Sequence, residues 1–86
     1  MPSTWMPLVA RVEWRSERKA GQRPEAIVVA GERRVVEEER HWVEGPARAG
    51  LPLVTVFVLS DAAGRRYQLR WREGAEALVE IENPGA

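Results

Sequence analysis

Four polar residues at alternate positions, Arg66, Gln68, Arg70 and Arg72, carry the strongest chemical suggestion in this chain. On a β-strand they share one face and form a ladder with about 6–7 Å between successive side chains. That interval suits the phosphates of a nucleic-acid strand, and small β barrels bind single strands with a basic face and exposed aromatics. Tyr67 and Trp71 fall on the opposite face of the same strand. The arginines can equally pair with carboxylates on a neighbouring strand. A second candidate is Val54, Val56 and Val58, whose alternation leaves an apolar face that needs a cover. The N-terminal strands, a second copy or a partner protein could supply it.

His41 is the only histidine, and at strand spacing it shares a face with Glu37 and Glu39. One histidine with no cysteine cannot build a multi-histidine or thiolate metal site, and no nucleophile accompanies it. A charge-paired polar edge is the expected role. The run Glu37-Glu38-Glu39 is expected to pair with nearby arginines, although it could also receive a basic partner. The sequence thus predicts no enzyme, no cofactor and no metal.

These residues are positioned by the stretch from Leu53 to Glu82, which reads as a three-stranded antiparallel meander. Asp61-Ala62-Ala63-Gly64 fits a type I turn followed by a left-handed glycine. That turn places Leu59 opposite Tyr67, Phe57 opposite Leu69 and Thr55 opposite Trp71, so apolar side chains meet on one face. In the second hairpin, Trp71 opposite Val79 and Leu69 opposite Ile81 keep that face apolar. The same register sets Arg70 against Glu80 and Gln68 against Glu82.

Upstream, residues 1–7 read as a tail, with Trp5 docking back onto the domain. Leu8 to Arg15 alternates as a half-buried strand, and Ser16 to Arg23 is a polar loop or hairpin tip. Pro24 limits the start of the next strand, Glu25 to Ala30. Gly31-Glu32 provides a tight turn into residues 33–43. Val35, Val36, Glu39, Trp42 and Val43 lie at helical spacing there. As a strand, the same segment alternates poorly, because Val36 and Trp42 share a face with Arg34, Glu38 and Arg40. The hairpin-like turn before it favours the strand. The expected fold is all-β, a small antiparallel barrel-like or strongly bent sheet of 5–6 strands, or α+β if 33–43 is a helix. One β domain spans 8–82, and 83–86 form a C-terminal tail.

The chain has 86 residues, enough for one domain with a small core. Its 13 basic and 13 acidic residues cancel, which argues against a generally basic nucleic-acid binder. The absence of cysteine excludes disulfides and thiol chemistry. No apolar run approaches membrane-spanning length and the N-terminus lacks a signal-peptide pattern, so the expected location is the cytoplasm, away from membranes.

Pro24, Gly31-Glu32-Arg33, Val36, Trp42, Gly64 and Tyr67-Gln68-Leu69 together resemble a family of short, uncharacterised bacterial β-rich proteins. Some members are encoded near translesion DNA polymerases, and the resemblance implies a role in DNA damage tolerance. It brings no active-site residues. The leading functional reading is a non-enzymatic interaction module that binds a protein partner, or itself as a homodimer, through a β face or edge. The alternative is an accessory nucleic-acid-binding domain that uses the arginine ladder.

Overall fold

The computed structural model describes residues 4–17, 21–45, 50, 53–72 and 74–83, with the side chains of residues 17 and 21 also left aside. Seven strands form one antiparallel sheet: β1 (Thr4–Pro7), β2 (Arg11–Glu17), β3 (Gly21–Val29), β4 (Glu32–Glu44), β5 (Val54–Asp61), β6 (Arg66–Arg72) and β7 (Leu78–Asn83). The spatial order is β1-β7-β6-β5-β4-β3-β2, so β2 to β7 make a continuous meander and β1 returns to the far edge. The sheet is all-β as expected, with one strand more than the sequence suggested. That strand is β1, which pairs with β7 from Thr4↔Asn83 to Pro7↔Glu80 where a tail is expected. Asn83, expected in the C-terminal tail, belongs to β7. Residues 84–86 and most of the 44–52 loop lie outside the described residues.

β1 and β2 stand at opposite ends of the sheet but are joined by residues 8–10 alone. A link this short forces the sheet to bend on itself. The link is fastened where the Leu8 amide donates to the Val79 carbonyl at 2.9 Å. The bend gives the sheet an inner and an outer face. Ile27, Val36, Phe57, Leu59, Tyr67, Leu69 and Val79 fill the inner face, and Val12, Trp14 and Ile81 pack against them.

Two bulges shape the middle of the sheet. In β3, Glu13 faces Ala26 while Trp14 faces Pro24, so Glu25 is the extra residue. Pro24 therefore lies inside β3 rather than at its start, at the kind of irregular position where a strand tolerates proline. In β4, Glu38 faces Leu59 while Arg40 faces Val58, leaving Glu39 as the extra residue. This bulge explains the poor alternation of 33–43. It reverses the phase, so Val36 points inward and Trp42 points outward. Pairing with both β3 and β5 then outweighs the helical propensity of the segment.

The turns carry the positive dihedrals that hairpins require. Gly64, at φ 83°, closes the β5–β6 loop, and the Asp61 carbonyl accepts from its amide at 3.0 Å. The β5–β6 register is the expected one, with Thr55↔Trp71, Phe57↔Leu69 and Leu59↔Tyr67. The β3–β4 turn is Ala30-Gly31, with φ of 49° and 81°, one residue earlier than the Gly31-Glu32 turn read from sequence. The β6–β7 register is displaced by two residues, to Leu69↔Val79 and Gln68↔Glu80. A two-residue shift keeps every side chain on its expected face, so hydrophobic pattern alone does not resolve it.

Candidate functional site

The outer face of the meander is built from the predicted ladder, and every long side chain in its centre is engaged. The register places Val56 between Trp42 and Arg70, and Val58 between Arg40 and Gln68. Both valines have 0% exposed surface, while Val54 is half-buried. The register thus flanks the valines with side chains of β4 and β6 on the same face, while Val12 and Trp14 of β2 pack on the inner face.

Arg66 donates through Nε and Nη2 to the two Glu39 carboxylate oxygens, both at 3.0 Å, and through Nη1 to Glu82 at 2.6 Å. Arg70 donates to Glu44 at 2.8 Å, not to Glu80. Gln68 reaches Glu80 at 3.2 Å, not Glu82, as the two-residue displacement requires. The Trp42 indole N–H donates to Glu44 at 3.3 Å, and the Arg40 guanidinium lies 5.2 Å from the Trp42 ring centre. The Arg66 hydrogen bonds hold the Glu39 carboxyl below its ordinary range. The Trp42 indole, followed by Arg70, does the same for Glu44. Arg72 is exposed and, among the described residues, has no carboxylate set against it.

One end of the inner face is closed by a second polar group. The Tyr67 hydroxyl donates to Asp61 Oδ2 at 2.8 Å and accepts from Arg34 Nη1 at 3.2 Å. Asp61 also accepts from Arg65 Nε at 2.6 Å and from the Ala63 and Arg65 amides at 3.0 and 2.9 Å. Burial works to raise the Asp61 carboxyl, but the bonds from Tyr67 and Arg65 outweigh it and the net shift is downward. Tyr67 is raised, chiefly by burial and then by Asp61.

The other end is open. A cavity of about 940 Å³ is lined there by Gln22, Arg23, Glu38, His41, Phe57 and Trp71, together with the 74–76 segment. Its floor is aromatic. Phe57 and Trp71 form it, with His41 5.9 Å from Phe57, and Trp14, which does not line the cavity, supports them at 5.3 Å from Trp71 and 5.9 Å from Phe57, between ring centres. β7 pairs with β6 only as far as Arg70↔Leu78, so Trp71 extends beyond the last β7 partner and stays half-buried. On the rim, His41 Nδ1 is 3.1 Å from Glu38 Oε2, which is 3.9 Å from Arg23 Nη2.

The sequence placed His41 with Glu37 and Glu39. The Glu39 bulge instead brings Glu38 to His41, leaves Glu37 opposite Ser60 and turns Glu39 to Arg66. No group of three or more potential ligands that could hold a metal occurs among the described residues. Nor is any helix among them long and apolar enough to cross a membrane. Sequence reasoning missed the mouth because it assigned Trp71 wholly to the core. The available signal was its place only three residues before the Gly74 turn, where a strand end leaves one side of a large ring uncovered. Comparison with family models, with curated proteins and with solved structures finds no match for this chain.

Proposed function

We propose that the protein is a non-enzymatic interaction module that receives a polypeptide segment in the open mouth of its bent sheet. The observation that carries this reading is the half-buried Trp71 ring on the floor of the cavity, beside Phe57 and His41. Such a floor offers stacking and apolar contact to one anchor side chain, the usual core of a peptide-binding patch. The rim mixes Arg23 with Glu38 and Glu76. Mixed charge suits the amides and side chains of a polypeptide, while two carboxylates beside the floor disfavour a run of phosphates. The arginine ladder supports nucleic-acid binding less well, since Arg66 and Arg70 would have to give up carboxylate partners first.

Selection from a displayed random-peptide library tests this reading. Enriched peptides should carry an aromatic or large aliphatic anchor and shift the resonances of His41, Phe57 and Trp71. Trp71→Ala should weaken them at least about tenfold. Failure to enrich any peptide, combined with salt-sensitive binding of labelled single-stranded DNA that Arg72→Glu abolishes, would overturn the proposal and restore the ladder as the working surface.

A further inference from the structure

β2 ends the sheet, and among the described residues no strand pairs with its outer edge. An unpaired edge is a template for another strand unless its side chains discourage the pairing. β2 runs Arg11-Val12-Glu13-Trp14-Arg15-Ser16-Glu17, seven residues without proline, and its charges alternate in sign. Val12 and Trp14 turn inward to the core, so Arg11, Glu13 and Arg15 share the outer face.

We infer that β2 pairs antiparallel with β2 of a second copy of this chain, about a two-fold axis passing through Trp14. Such an axis is normal to the sheet at the contact, so opposed residues must lie on the same face and only every second register is allowed. With Trp14 opposite Trp14, Glu13 stands opposite the second copy's Arg15 and Arg15 opposite its Glu13. Both of these charges then meet their opposites. A shift of two residues one way sets Glu13 against Glu13 and Arg11 against Arg15. The same shift the other way sets Arg15 against Arg15. The alternation therefore selects one register and penalises both of its neighbours.

Arg15 gives an independent reason. Within the chain its cross-strand neighbour is Arg23, itself engaged with Glu38, so β3 offers Arg15 no opposite charge at that position. Arg15 is exposed and lines a shallow cavity with Glu25 and Glu37, but among the described residues it closes no ion pair with either. The second copy's Glu13 supplies the missing charge. Glu13 already holds Arg33 at 2.7 Å, so it is oriented on the outer face before any partner arrives. The mouth is lined by β3 to β6 and the 74–76 segment, and none of its lining residues belongs to β2. The inference stands apart from the function proposed above, because dimerisation is measured without any ligand.

Sedimentation equilibrium of the full chain and its charge variants tests the dimer. Arg15→Glu sets glutamate against the second copy's Glu13 twice, by symmetry, and should weaken self-association at least about tenfold. Glu13→Arg should do the same. The double variant Glu13→Arg/Arg15→Glu restores opposite charges across the axis and should recover the dimer. On the wild-type chain, amide exchange in Arg11–Glu17 should slow as concentration rises, which provides a readout independent of variant folding. A wild-type chain that stays monomeric at about millimolar concentration, about the weakest association worth calling specific, would overturn the inference. So would a double variant no better than the single ones.

Discussion

The outer face and the mouth use the same kinds of residue and finish them in opposite ways. On the outer face, Arg66, Arg70, Gln68 and Trp42 all bond to carboxylates, and Val56 and Val58 between β4 and β6 have no exposed surface. At the mouth, Arg23, Glu38 and His41 touch one another only at the rim, and the aromatic floor between Phe57 and Trp71 keeps about 940 Å³ of open space beside it. The difference shows that residue type alone does not tell whether a side chain is already engaged. A row of arginines on a strand is drawn into ion pairs when the next strands supply glutamates, as Arg66 and Arg70 are here. An ordinary core tryptophan becomes available when its strand outruns its neighbour.

The contrast can be broken most forcefully at Val56. If the outer face is a finished surface, Val56→Glu buries a charge with no partner and should cost about 3–5 kcal/mol, enough to unfold much of a chain this small. Circular dichroism and urea unfolding would show it. A folded, fully stable variant would mean that the valine row is accessible after all and that the cover is not tight.

The closed end of the inner face gives the next largest effect. Asp61→Ala leaves the Tyr67 hydroxyl and the Ala63 and Arg65 amides without their acceptor, and should cost about 3 kcal/mol in urea unfolding. The same carboxylate sets a pH dependence. Its folded-state pKa is depressed, so its stabilisation is fully present above the unfolded carboxylate value of about 4 and is lost as pH falls through the lower folded value. Stability should therefore be level from about pH 7 to 5 and decline below about pH 4, and Asp61→Asn should flatten part of that decline. An unchanged acid slope in Asp61→Asn would assign the slope to other carboxylates.

The smallest expected change is a gain. Ala30 holds a φ of 49° in the two-residue β3–β4 turn, a region that costs an L-residue about 1 kcal/mol and glycine almost nothing. Ala30→Gly should raise stability by up to about 1 kcal/mol, read by thermal unfolding, without altering either face. A loss instead would mean that the entropy of the added glycine outweighs the relieved strain.

Much of this architecture is written in local patterns. The β5–β6 hairpin is legible to the residue because one turn, Asp61 to Gly64, and one alternation agree on the register. The β6–β7 hairpin is legible only to its faces. Displacement by two residues leaves the hydrophobic pattern intact, and the choice falls to charge pairs such as Arg66–Glu82 that form only after folding. The β4 segment misleads because its alternation breaks at Glu39. A bulge there depends on β5 lying alongside, which local sequence does not encode. Thr4–Pro7 is hidden for a similar reason, since a four-residue strand with a proline at its end needs β7 to define it. The ladder is visible in sequence, but its neutralisation is not. Glu39, Glu44 and Glu82 are between 16 and 27 residues away from the arginines they hold.

The most direct test sets the mouth against the ladder in one titration. A library-selected peptide would be titrated into the wild-type chain, Trp71→Ala and Arg70→Glu, each first shown to be folded. Trp71→Ala should lose at least about tenfold in affinity, and Arg70→Glu should stay within about threefold of wild type. Affinity that survives Trp71→Ala and disappears with Arg70→Glu would contradict that expectation, and would make the ion-paired outer face the surface that binds.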